Sequence, residues 1–161
     1  MKLFIYTLTS ILFILAPISI SQSIETGNEN KMKLLTLTPN IMVEDVNATA
    51  SYYKELFGFE VIMKIPEEGV YDWAMIQKDE VSLMLQSVKS LTDEYDLFMN
   101  KGMGGSLTFF ITMNGIEELF EKVKDKVKII KGLEVTFYGM KEFTFEDLNG
   151  YIVTFAERVE E

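Results

Sequence analysis

From Leu34 onward the hydropathy pattern of this chain runs through one series and then repeats it. Each series is an alternating apolar and polar run, a stretch with helical spacing, and three further alternating runs. A duplicated β-α-β-β-β order leaves few folds open. Each helix carries one apolar stripe and each strand one apolar face, so every unit must bury its helix against its own strands, which gives an α+β domain of two similar modules. The first unit reads as strand Leu35 to Val43, helix Val46 to Phe57, then strands Phe59 to Pro66, Tyr71 to Lys78 and Val81 to Gln86. Asp45 can cap its helix, Val46, Ala50, Tyr53 and Phe57 share one face, and Gly58 ends it. The second unit reads as strand Ser106 to Met113, helix Ile116 to about Val127, then strands Leu133 to Tyr138, Lys141 to Asp147 and Tyr151 to Glu157. Here Asn114 is the expected cap, and Ile116, Leu119, Phe120 and Val123 the buried stripe. Pro66-Glu67-Glu68-Gly69 and Asp147-Leu148-Asn149-Gly150 read as corresponding turns, and Ser87 to Gly105 as a joint with a short helix around Leu91 to Met99.

Strand alternation sorts the side chains into two faces. One set is apolar and expected under the helices: Leu37, Ile41 and Val43; Val81, Leu83 and Leu85; Leu107, Phe109 and Ile111; Tyr151, Val153 and Phe155. The other is mixed: Thr38, Asn40 and Met42; Ser82, Met84 and Gln86; Ser106, Thr108, Phe110 and Thr112; Ile152, Thr154 and Ala156.

Ahead of the repeat, Lys2 is followed by an uncharged apolar stretch, Leu3 to Ile20, that ends in Pro17 and the small residues Ser19 and Ser21. This reads as a signal peptide, residues 1–21, cleaved between Ser21 and Gln22, and it implies export to a periplasmic or extracellular space. Kept uncleaved, it would be the chain's only membrane attachment. Residues 22–33 form a polar linker, and 34–161 the domain: module one 34–88, a connector 89–105 and module two 106–158. Removal of Lys2 with the leader leaves 14 basic and 25 acidic residues, a charge of -11, which repels a phosphate backbone and argues against nucleic acid as a partner. The chain has no Cys and no His, so disulfides, thiol catalysis, His-based triads and His-ligated metals are excluded. The acidic pairs Glu67-Glu68, Glu117-Glu118 and Glu160-Glu161 read as solvated neighbours. Gly102-Met103-Gly104-Gly105 lacks the strand and Lys-Ser/Thr of a phosphate loop, and Asn47-Ala48-Thr49 matches a glycosylation triplet at a helix start.

Pro39 to Val46, with its Val-x-Asp turn, followed by Tyr52-Tyr53-Lys54-Glu55-Leu56-Phe57-Gly58-Phe59-Glu60-Val61, resembles the opening strand and helix end of the vicinal oxygen chelate superfamily. That superfamily includes glyoxalase I, bleomycin-resistance proteins and extradiol dioxygenases. Phe143 to Tyr151 is similar to its closing "F…DPDGN" element, with Leu148 where Pro is usual. The resemblance covers roughly Leu35 to Glu157 and implies two modules forming a curved, eight-stranded mixed sheet around a cup, with the mixed face turned inward. Metal-dependent members place His, Glu or Gln at four cup positions. Carried over by these landmarks, the positions fall at Thr38, Met84, Ser106 and Thr154. Three hydroxyls and a thioether do not hold Zn, Ni, Mn or Fe(II) against water, so the resemblance implies a metal-free member with no cofactor and no catalytic residues.

The function expected on this basis is binding or sequestration of a small amphipathic molecule, as in the bleomycin-resistance branch, in a groove completed by a second copy of the chain. The expected ligand-binding residues are Thr38, Asn40, Met42, Trp73, Met84, Gln86, Ser106, Thr108, Phe110 and Thr154; Met42, Met84 and Phe110 supply adaptable apolar area, the hydroxyls and amides supply hydrogen bonds, and Trp73, with Tyr71 near it, could stack a flat guest. The acidic charge favours a cationic one. Two other readings stand beside this: an enzyme of the same superfamily, glyoxalase, lyase or dioxygenase, with an atypical metal site, and a dimeric interaction module with no small ligand.

Overall fold

In a computed structural model of the protein, residues 32–159 are described. The expected leader and most of the polar linker lie outside those residues. Twelve elements follow in order: β1 (Asn40–Val43), α1 (Val46–Phe57), β2 (Glu60–Ile65), β3 (Trp73–Lys78), β4 (Val81–Ser87), α2 (Val88–Glu94), a 3-10 turn (Asp96–Phe98), β5 (Thr108–Thr112), α3 (Ile116–Val123), β6 (Lys128–Val135), β7 (Met140–Glu146) and β8 (Ile152–Arg158). The α+β class and the duplicated β-α-β-β-β order are those read from the pattern. Among the described residues the eight strands form two four-stranded sheets, β1-β4-β3-β2 and β5-β8-β7-β6, that share no ladder. In each the first strand runs parallel to the last, and the rest are antiparallel.

The helix α1 begins and ends where its sequence requires. Asp45 accepts from the Ala48 N–H at 2.9 Å, and Gly58, at φ 76, closes the C-terminus in the left-handed region open to glycine. Asn114 does not cap α3. The residue before that helix is Gly115, at φ 79, and the cap comes from Glu157 on β8, whose carboxylate accepts from Gly115 N at 2.8 Å and Ile116 N at 3.0 Å. Further boundaries differ from the periodicity reading. The helix α3 stops at Val123 rather than Val127, β6 starts five residues before Leu133 and carries register shifts that blur its alternation, and α2 follows β4 without a gap.

One core serves both modules. The helix-facing residues of the first sheet, Ile41, Val43, Ala74, Ile76, Leu83 and Leu85, belong to the same buried cluster as Phe109, Phe143, Phe145, Val153 and Phe155 of the second. Phe57 at the end of α1 stacks on Phe145 with ring centroids 5.1 Å apart, so the first module's helix, packed on its own sheet, also reaches the second module's sheet at its C-terminal end. Leu37 and Leu107, expected in this core, are 90% and 43% exposed, because β1 begins only at Asn40 and β5 only at Thr108. The opposite face of each sheet therefore points away from the shared core.

The Asp147-Leu148-Asn149-Gly150 turn locks the modules together. Asp147 accepts from the Tyr53 hydroxyl of α1 at 2.8 Å and from the backbone of Asn149 and Tyr151, while Asn149 donates to Thr49 at 3.0 Å. Burial pushes the Asp147 carboxyl up and these donors pull it back; burial and the Asp147 charge push Tyr52 up to about 12 and Tyr53 well above its usual range. The counterpart of this turn is the shorter Asp79-Glu80 turn between β3 and β4, not Pro66 to Gly69, which lies between β2 and β3.

Candidate functional site

The candidate site is the outer face of the two sheets, and strand register defines it. On the first sheet two rows cross the strands: Asn40, Met84, Met75 and Met63, then Met42, Gln86, Trp73 and Ile65. On the second sheet the rows are Phe110, Thr154, Thr144 and Lys131, then Thr112, Ala156, Glu142 and Glu134. The alternation expected for Asn40, Met42, Met84, Gln86, Phe110 and Thr154 matches this outer face, since their strand neighbours Ile41, Leu85, Phe109 and Val153 are in the core.

Register also moves one position. The helices start 70 residues apart, at Val46 and Ile116, and Asn40 pairs with Met84 as Phe110 pairs with Thr154. The counterpart of Thr38 is therefore Thr108, not Ser106. Ser106 lies outside β5, is exposed, and holds φ 63, a conformation that a turn and not a strand imposes. The four positions become Thr38, Met84, Thr108 and Thr154, and the donor set stays three hydroxyls and a thioether. A divalent ion does not fit it: none of the four carries charge, and the Thr154 hydroxyl already shares a hydrogen bond of 2.9 Å with Thr144. Among the described residues no three His, Cys, Asp or Glu side chains gather into an alternative site.

Within one chain the expected residues do not meet in a single cavity. Thr154 and Phe110 line a cleft of about 540 Å³ on the second sheet, walled by Thr144, Lys131, Glu142, Phe137 and Tyr138. Asn40, Met42 and Ser106 line another of about 500 Å³ between β1 and the connector. Thr38, Trp73, Met84, Gln86 and Thr108 line neither. The connector is the reason for part of this separation. Helix α2 lies against β1 and β4, Leu91 is buried, Met42 is only 5% exposed, and Gln86 receives from Asn40 at 2.6 Å and donates to Ser90 and Glu94, each at 3.0 Å. Gln86 thus spends its amide holding α2 and Asn40 donates to Gln86 in turn, which a periodicity reading of single strands does not reveal. Donation from Gln86 holds the Glu94 carboxyl below its ordinary range.

Tyr71 is turned to other work: its N–H donates to Asn47 at 2.8 Å and its ring lies under the Lys64 ammonium. The Asn47 amide of the glycosylation triplet is likewise engaged, donating to the Gly69 carbonyl at 3.1 Å. Sequence reading missed the aromatic pair Phe137 and Tyr138, whose rings meet edge to face at 4.9 Å, with Tyr138 donating to Glu142 at 2.9 Å. Their signal was present as two adjacent aromatics before Gly139, at a hairpin tip where no core demands them. A third cleft, of about 850 Å³ and floored by Phe57, Phe59 and Phe155, opens where Asp79-Glu80 stops short of α3.

Comparison with known proteins places this geometry. No curated protein sequence matches the chain. Among solved structures, a protein of unknown function from Agrobacterium tumefaciens superposes with a TM-score of 0.67 at 17% identity, over 82% of this chain and 100% of that one. A glyoxalase/bleomycin resistance protein/dioxygenase from Nocardioides gives 0.64 at 12% identity over 81% and 88%. TnmS3, an antibiotic binding protein from Streptomyces sp., gives 0.61 at 16% identity over 79% and 98%. The family profile of the Glyoxalase/Bleomycin resistance protein/Dioxygenase superfamily matches residues 34–155, which takes in the first seven strands and the start of β8, and the chain belongs to that superfamily.

Proposed function

We propose that the protein, exported and freed of its leader, binds a small amphipathic molecule on these outer faces without a divalent metal and without catalysis, and that two copies pair to complete the groove. One observation carries the reading: the metal-ligand position at the end of the second module is Thr154, set in a cleft of about 540 Å³ whose walls are Phe110, Phe137 and Tyr138. Aromatic walls around a few convergent polar groups suit a drug-sized guest, and that volume lies within the usual range for such sites. Glu134 and Glu142 outnumber Lys131 there, which favours a cation, in keeping with the chain's net charge of -10. That TnmS3 is an antibiotic binding protein supports the same ligand class.

Calorimetric titration with bleomycin and with cationic aromatic antibiotics tests this. Thr154→Trp fills the cleft and should abolish binding while the denaturant midpoint stays near wild type. Val153→Ala, one residue along and in the core, should bind normally but lose about 1 to 3 kcal/mol of stability through a cavity. If Thr154→Trp unfolds the protein as badly as the core variant, the faces are inverted. If it binds as wild type does, the cleft is not the site and the interaction-module reading gains.

A further inference from the structure

We propose that the outer face of the first sheet is a binding site for one soft monovalent cation, Cu(I) or Ag(I), held by the thioethers of Met63, Met75 and Met84. All four methionines of that sheet, these three and Met42, lie on the face opposite the buried Ala74, Ile76, Leu83 and Leu85. Met84 is directly opposite Met75, and Met75 directly opposite Met63, so the three make one row across β4, β3 and β2. Side chains directly opposite each other in an antiparallel pair start about 4.5–5.5 Å apart at Cβ, and methionine has three rotatable bonds, so neighbouring sulfurs in such a row can turn to one ion. The row is open to solvent: Met63 is 58% exposed, and Met75 and Met84 are half-buried. Met42 stands outside it, opposite Gln86 and covered from the connector side.

The donor chemistry selects the ion. Thioethers are neutral and soft; they bind Cu(I) and Ag(I), which accept two or three such ligands, and compete poorly for Zn(II) or Ni(II). The chain has no cysteine or histidine to draw the ion elsewhere. Leucine would give the same apolar area with better-defined rotamers, so three thioethers in one register row add a property that an apolar floor does not need. Trp73, the chain's only tryptophan, lies two residues from Met75 on the same face, where its ring can lie beside the bound cation. This inference does not rest on the small-molecule reading: both use outer-face residues of the first sheet, Met84 and Trp73 among them, but the cleft that carries that reading lies on the second sheet.

The test is titration of the full chain with silver nitrate in chloride-free buffer, followed by native mass spectrometry and by Trp73 fluorescence. One Ag(I) per chain and a saturating change in Trp73 emission are expected. Affinity should be unchanged across the range in which imidazoles titrate, about pH 5 to 8, because thioethers do not. The volume-conserving variants Met75→Leu and Met84→Leu should each weaken binding at least tenfold, roughly the lower end of what loss of even an outer partner costs a metal site. Met99→Leu, in the exposed connector, should bind as wild type does, and circular dichroism should show all variants folded. Competition against a Cu(I) chelator under anaerobic conditions should rank the variants in the same order. Wild-type affinity in Met75→Leu and Met84→Leu, or an emission change without a mass of one Ag(I), overturns the proposal.

Discussion

Glu157 does for α3 what Asp45 does for α1, and the two differ in how far the cap travels. Asp45 is three residues from the amide it accepts; Glu157 is 42 residues from Gly115. The Ile116 and Gly115 amides, with Lys141 nearby, hold the Glu157 carboxyl below the ordinary range. The sign of the linkage follows: a carboxyl whose folded pKa is depressed adds stability that is present above its unfolded value and lost as the pH falls through its folded one. Glu157→Gln should therefore melt below wild type at neutral pH, and the two melting temperatures should converge on acidification below the ordinary glutamate pKa. Parallel curves down to strong acid would show that the charge on Glu157 contributes nothing.

At the scale of elements, two hairpin turns of unequal length explain an asymmetry between the modules. The Lys78–Val81 pair closes β3 and β4 over two residues, Asp79 and Glu80, whereas Asp147 and Tyr151 enclose three. The longer turn carries Asn149 onto Thr49 of α1; the shorter one does not reach α3, where Val81 and Leu119 line the open 850 Å³ cleft instead. The connector depends on the same long turn. A Cβ on Gly104, which holds φ 73, would stand 2.3 Å from the Gly150 carbonyl oxygen. Gly104→Ala should lower stability by at least about 1 to 3 kcal/mol in a denaturant melt, since neither backbone can retreat without moving a motif that holds the modules together. Gly102→Ala, with open space around it, should be nearly silent.

For the whole molecule, the parts of the outer faces that α2 does not cover expose much apolar surface among the described residues. Phe110 is 56% exposed, Ile65 60%, Met63 58% and Phe137 fully exposed, while β1 and β5 each stand at a sheet edge. We expect an isologous homodimer that covers part of this surface, with a mass of two chains in light scattering at micromolar concentration; a strict monomer would confine the site to one sheet. Export is checked separately: N-terminal sequencing of extracytoplasmic protein should begin at Gln22, and recovery of Met1 would favour the anchor reading.

Periodicity alone determined the class of fold, the α1 boundaries Val46–Phe57, and the outward face of Asn40, Met84, Phe110 and Thr154, because helix and strand periods are local properties of the backbone. The metal positions themselves came from the superfamily resemblance and not from periodicity; the hydroxyls and thioether found there suit a divalent ion poorly as a matter of side-chain chemistry. Tertiary structure alone decided which of those side chains remain free. Gln86 is tied to the connector helix and Asn40 to Gln86, the Asp147 turn clamps the modules, Ser106 yields its place to Thr108, and only five of the expected cup residues line a cleft, divided between two. Each of these depends on contacts between residues far apart in the chain, and their geometry is set by how the two modules share one core.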